Sequence, residues 1–128
     1  MTQHSHSHHA HGTLHELEAH QVHELLKSRQ AVLIDVREPG EFEAERIPGA
    51  LLFPLSGFDP HSLPLEGQKR IVFQRGTGRR SAQAARLVLA SGLAEATHLA
   101  GGIAAWKRAG LAVTRYDPAT GRLRTGHA

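Results

Sequence analysis

The run AVLIDV, residues 31–36, is apolar throughout except for Asp35 and carries three β-branched residues. A strand with one wet face would alternate polar and apolar residues. A continuous run of this kind belongs instead to a strand buried on both faces, which is the environment of a parallel sheet. A further run, RIVF (70–73), reads the same way, and ATHLA (96–100) reads as a short strand. LLFPL (51–55) is a shorter candidate strand whose Pro54 marks an edge or a strand end. The segments between have helical character. EPGEFEAER (38–46) predicts a short helix, RRSAQAARLVLASG (79–92) a helix ended by Gly92, and GGIAAWKRAG (101–110) a short helix stopped by Gly110. Strands separated by helices define an α/β class, with functional sites at the carboxyl ends of the strands. Near the start, Leu14, Leu17, Val22, Leu25 and Leu26 fit two readings. One is a helix opened by a Thr13–Glu16 capping box; the other is a strand over 14–17 followed by a helix over 19–29.

The chain has 128 residues, 40% of them hydrophobic and 21% charged, enough for one domain with its own core. Residues 1–12, MTQHSHSHHAHG, are polar and lack the apolar stretch of a secretory signal. No apolar run reaches the roughly 20 residues that span a bilayer. A cytoplasmic location and no membrane partner are therefore the expectation. There is no cysteine, so this chain offers neither disulfides nor thiolate chemistry. Net charge is +3, with Arg75, Arg79 and Arg80 clustered and Arg115, Arg122 and Arg124 towards the C-terminus. With one Trp and one Tyr, no stacking platform for a nucleic acid is expected. A local anion site is.

That site is expected in the loop after the third strand, QRGTGRRS, residues 74–81. It is not a Walker A loop, because Phe73 stands where a glycine would be needed, and Ser81 breaks the dinucleotide fingerprint. Gly76 and Gly78 let the backbone curl so that successive amides can face one point. The helix that follows adds unpaired N–H groups and the positive end of its dipole. The alternative is a tight strand-to-helix turn with solvated arginines.

The sequence resembles the rhodanese-like domains. LIDVREPGEFEAERIPGALLFPL is similar to that family's strand ending in Asp-Val-Arg, followed by Glu-x-x-Glu-Phe and His-Ile-Pro-Gly-Ala. LAGGIAAWKRAGLAV is similar to its closing Gly-Gly, Trp and Ala-Gly segment. RGTGRRS stands where the family has Cys-x-x-Gly-x-Arg-Ser. The resemblance implies a three-layer α/β sandwich with a central, mainly parallel sheet of about five strands. It also implies that Gly78, Arg80 and Ser81 match the active loop and that Arg75 occupies the place of the catalytic cysteine. Asp35 and Arg37 match an acidic and basic pair at a strand end, for which a structural ion pair is the expectation. Trp106 matches the packing tryptophan, and Trp106 and Phe42 are both expected in the core. Glu45 replaces a usual glycine and Arg46 a usual histidine; Arg46 could face the loop mouth, but a surface arginine is the expectation. The six residues from Arg75 to Arg80 resemble the loop of sulfur-transferring members, which is one residue shorter than in phosphatase-like members.

In that family a cysteine thiolate takes a sulfur from a donor such as thiosulfate. Arginine stays protonated and offers no lone pair. The resemblance therefore implies no catalytic residue in this loop. The expected function is a binding or regulatory module, with Arg75, Gly76, Thr77, Gly78, Arg79, Arg80 and Ser81 receiving a small oxyanion (sulfate, thiosulfate or phosphate) or a partner protein. Two alternatives stand beside it: sulfur transfer by a route the sequence hides, and metal handling. For the latter, His4, His6, His8, His9 and His11 are candidate ligands for adventitious Zn or Ni, with no cofactor required. The expected organisation is a disordered His-rich tail over 1–12, a domain over 13–116 and a C-terminal tail over 117–128.

Overall fold

The structure, a computed structural model, describes residues 6–9, 12–63, 69–76, 79–90 and 95–127; for 6–9, 12, 60, 79–81, 87 and 90 it describes the backbone. Five parallel strands form the body: β2 (Gly12–Leu17), β3 (Ala31–Asp35), β5 (Leu51–Leu52), β6 (Arg70–Gln74) and β7 (Glu95–Leu99). With β1 (His6–His9) antiparallel on the outer edge of β2, the sheet order is β1-β2-β7-β6-β3-β5. Among the described residues four helices connect or flank these strands: α1 (Ala19–Lys27), α2 (Pro39–Ala44), α3 (Arg79–Ala90) and α4 (Gly102–Arg108). A second, antiparallel sheet has the order β4-β8-β9, from β4 (Glu45–Arg46), β8 (Val113–Asp117) and β9 (Arg122–Gly126). Among the described residues, single 3-10 turns at Leu55–Gly57 and Pro60–Ser62 follow β5.

The apolar runs fold as parallel strands because adjacent residues feed different cores. Leu33 and Val72 join Ala19 and Val22 of α1 and Ile103 and Trp106 of α4 on one face. Ile34 and Phe73 join Ala84, Ala85, Val88 and Leu89 of α3 on the other. The result is the three-layer sandwich expected from the sequence. Each fully buried Leu, Ile or Phe contributes about 1.5–3 kcal/mol by leaving water. Among the described residues no helix is long and apolar enough to cross a membrane.

Several expectations change in detail. The strand-then-helix reading holds at the start. The capping box there is made by Glu18, whose backbone N–H donates to Gln21 Oε1 at 2.8 Å, and not by Thr13 with Glu16. Regular pairing in LLFPL stops after Leu52. Phe53 and Leu55 still donate to the carbonyls of Asp35 and Val36, on either side of Pro54, which has no N–H to give. Phe42 is half-buried outside both cores, under the guanidinium of Arg46 at 4.8 Å from its ring centroid. Trp106 is core, and its Nε1 donates to Ala112 O at 2.8 Å. Gly92, expected to end α3, lies outside the described residues, as do Pro64 and Gly67.

The two tails also differ from expectation. Residues 122–126 pair along their whole length with 113–117, and 6–9 pair with 12–15. Composition predicted tails because neither segment has much to bury, and β9 is indeed exposed throughout. Edge pairing is a backbone matter, however, and a polar strand can satisfy a neighbour's N–H and C=O groups as well as an apolar one. The turn between β8 and β9 is held by Asp117, whose carbonyl accepts from Gly121 N at 2.8 Å and whose Oδ1 accepts from Ala119 N at 3.0 Å.

Candidate functional site

The site begins where β3 and β6 end side by side. Asp35 and Gln74 are the last residues of those strands, they are register partners, and both are fully buried. A buried carboxylate needs both charge and hydrogen-bond partners. Arg37 supplies the charge: its Nε lies 3.0 Å from Asp35 Oδ1 and its Nη2 2.9 Å from Oδ2, and its backbone N–H also donates to Oδ1 at 2.9 Å. Gln74 Nε2 donates to Asp35 Oδ2 at 2.6 Å. The remaining reach of Arg37 goes to the carbonyl of Glu45, which fastens β4 to the end of β3. Asp35 and Arg37 are thus a buried structural pair.

Gln74 passes the network on to the loop. Its Oε1 accepts from the backbone N–H of Ile103 in α4 at 3.0 Å. Ile103 N also donates to Arg75 O at 3.0 Å, and Ala104 N donates to Gly76 O at 3.2 Å. Two amides of the first turn of α4, which no intrahelical carbonyl can use, are therefore satisfied by the loop. This docking demands close approach. A Cβ placed on Gly102, which has φ +58, would lie 1.2 Å from Arg75 O.

The peptide between Arg75 and Gly76 is trans, as are all those described. Its C=O points to α4, so the Gly76 N–H points away from α4. Arg75 itself is half-buried, and its Nε is buried with no hydrogen-bond partner among the described residues. Arg79, Arg80 and Ser81 form the first turn of α3, known here by backbone alone. Thr77 and Gly78 lie outside the described residues. Arg75 and Gly76 are therefore brought to the end of β6, directly ahead of α3, over the Asp35–Arg37–Gln74 floor.

The two family departures lie elsewhere. Arg46 donates to Phe42 O at 3.3 Å and stacks on the Phe42 ring. Glu45 accepts from Lys107 Nζ at 2.8 Å and Arg115 Nε at 2.6 Å, tying α4 to β8. Burial alone would raise the Glu45 carboxyl, but these two cations outweigh it and hold the pKa below its usual value. Glu38 caps α2 through a reciprocal box with Glu41, which needs no catalytic role. Of the histidines of the tail, His4 and His11 lie outside the described residues, and His6, His8 and His9 are on β1. Among the described residues no three His, Asp or Glu side chains stand together as a metal-binding group.

Gln74 is the functional-network residue that sequence reasoning missed. A polar amide closing an apolar strand was visible in the sequence, but its partner is set by register: only the pairing of β3 with β6 places it beside the equally buried Asp35.

A parallel sheet between helical layers, with its central strand handing over to a helix through a short glycine-bearing loop, places this molecule among α/β domains whose chemistry sits at the strands' carboxyl ends. Residues 18–109 match the family model of the rhodanese-like domain, and the chain belongs to that family. It is 39% identical over 88 residues to the uncharacterized protein slr1261 of Synechocystis, covering 69% of this chain and 49% of that one. The chain thus spans about half the length of that relative. It is 30% identical over 89 residues to a sulfurtransferase of Allochromatium vinosum, covering 70% and 83% of the two chains. Among solved structures it is similar to a rhodanese-related protein of Thermoplasma volcanium, with a TM-score of 0.64 and 28% identity over 77% of this chain and 95% of that one.

Proposed function

We propose that this rhodanese-like domain is a non-catalytic binding or regulatory module whose 75–81 loop receives a small oxyanion, sulfate, thiosulfate or phosphate in class. The observation that carries the reading is Arg75: a guanidinium at the end of the central strand, in a chain without cysteine. A guanidinium remains protonated at any working pH and cannot accept a sulfur atom. The hydroxyls of Thr77 and Ser81 form no persulfide, so sulfur transfer has no acceptor here. What remains suits an anion. The Gly76 N–H is turned away from α4, the start of α3 offers amides that no intrahelical carbonyl can use and the positive end of a twelve-residue helix, and Arg75 Nε meets no hydrogen-bond partner among the described residues.

The test is titration of the full chain with sodium sulfate, thiosulfate and phosphate, followed by amide chemical shifts. Shifts centred on Gly76 and the first turn of α3 are expected. Charge-assisted hydrogen bonds are each worth about 1.5–3 kcal/mol, so Arg75→Ala and Arg80→Ala should each weaken binding by about tenfold or more. Unchanged affinity in both variants removes the site.

A further inference from the structure

The β8–β9 hairpin lies outside residues 18–109, the part matched to the family, and β9 is the edge of the second sheet. All five residues of β9 are exposed. Among the described residues β8 is its only strand neighbour, so the N–H and C=O groups on its outer side are left for water or for another strand. The register says what kind of strand would fit.

On one face, Glu45, Arg115 and Arg124 form a row across β4, β8 and β9, because Glu45 pairs with Arg115 and Arg115 with Arg124. Glu45 Oε2 takes Arg115 Nε at 2.6 Å, so the row runs negative, positive, positive. Arg124 Nη1 is 3.8 Å from Asp117 Oδ2, at the outer limit of an ion pair, and its side chain is 76% exposed. Like charges directly opposite are unfavourable, so the next position in the row calls for an acid. Arg122, two residues back on the same face, repeats the demand. That face borders an open groove of about 710 Å³ lined by Val113, Arg115, Asp117 and Arg124. The opposite face carries apolar surface: Leu123 stands across from Tyr116, and they are 52% and 45% exposed. The hydroxyls of Thr114 and Thr125, 2.8 Å apart on that face, hold this register.

Arginines on an edge also keep like edges apart, since a second β9 would set Arg122 and Arg124 against their own copies. Protection alone leaves Leu123 and Tyr116 unexplained, because exposed apolar residues make an edge more adhesive. We propose that β9 is a docking edge for an extended segment of a partner protein in which acidic and apolar residues alternate. The segment adds a fourth strand to β4-β8-β9. Its main-chain groups pair with the outer side of β9, its carboxylates stand beside Arg122 and Arg124, and its apolar side chain covers Leu123. No residue of the 75–81 loop takes part, so the inference is independent of the anion site.

The experiment titrates the full chain with the peptide acetyl-Glu-Val-Glu-Val-Glu-Val-Glu-amide, followed by amide chemical shifts. Saturable shifts over residues 122–126 are expected. Arg122→Gln/Arg124→Gln should weaken binding roughly fivefold, the loss of two exposed ion pairs. Lys27→Gln/Arg29→Gln makes the same charge change on another exposed surface and should leave affinity unchanged. Strand addition has a further signature that needs no change to the protein. Successive amides of a strand point to opposite edges, so of two peptides N-methylated at alternate positions, one should lose affinity by about tenfold or more and the other retain it. Absence of shifts on β9, equal binding by a peptide with the same residues arranged in blocks, or equal losses for both methylated peptides would overturn the proposal; the block-peptide result would mean charge attraction alone. Self-association of the chain through β9 that excludes the peptide would also overturn it and assign the edge to a second copy.

Discussion

Replacing Gly102 by alanine tests the docking of the loop on α4, the contact that fixes where Arg75 begins. Two costs arise at this position. The first is backbone strain: an L-residue at φ +58 costs about 1–2 kcal/mol relative to glycine. The second is collision, because the new Cβ would lie 1.2 Å from Arg75 O and 2.4 Å from Arg75 C. These are backbone atoms and cannot rotate aside, so residues 75 and 76 must lift from the helix. That breaks the hydrogen bonds from Ile103 N and Ala104 N, at 3.0 and 3.2 Å. At about 1 kcal/mol each, their loss adds about 2 kcal/mol. Gly110 supplies the control: its φ is +79, but a Cβ there meets nothing within 4 Å. Gly110→Ala therefore carries the strain without the collision, and the unfolded-state effect of Gly→Ala is common to both and cancels. In urea unfolding followed by circular dichroism, Gly102→Ala should be about 2 kcal/mol less stable than Gly110→Ala. At about 3 °C per kcal/mol, that is roughly 6 °C in Tm. Equal stabilities, within about 0.5 kcal/mol, would refute the claim that the 75–76 backbone rests on α4.

Two further changes probe the supports around the site. Asp35→Ala leaves the buried Arg37 guanidinium without its counter-charge and should destabilise the fold by about 3–5 kcal/mol in urea. The double variant Asp35→Leu/Arg37→Met should be less damaging than Asp35→Ala alone; equal or greater damage would mean the pair does more than neutralise itself. His98 is buried, with Nε2 3.4 Å from Glu16 Oε2. Burial pushes its pKa below 6.5, Glu16 pulls it back upward, and Arg86 adds to the downward push. The unfolded chain then binds this proton more readily than the folded one, so the stability it supports is complete above pH 6.5 and is lost as pH falls below that value. The stability gap between the parent and His98→Gln should be constant above pH 6.5 and shrink below it; parallel profiles would contradict this.

The body of the fold was legible in the sequence because buried parallel strands have an unmistakable pattern. AVLIDV and RIVF are apolar on both faces, and the structure sends Leu33 and Ile34, or Val72 and Phe73, to opposite cores. The edges were less legible. Nothing in HSHH or RLRTG is apolar enough to announce a strand, and both pair through backbone groups that composition does not report. DPATG, 117–121, did carry a turn signal between β8 and RLRTG. At the site, the place of Arg75 directly after the apolar run RIVF was readable from residue order, while its standing at the cysteine position came from the family resemblance. Gln74 was not, because its meaning depends on register: only pairing β3 with β6 sets its amide beside Asp35. The seating of Arg75 and Gly76 on α4 was hidden for a similar reason, since it joins segments nearly thirty residues apart through main-chain groups.

The most direct measurement is thiosulfate:cyanide sulfur transfer by this chain and by Arg75→Cys, side by side. The account predicts no thiocyanate above background from the parent and measurable turnover once a thiol stands at the end of β6. Thiocyanate formation by the parent, abolished by substitutions in the 75–81 loop, would contradict it.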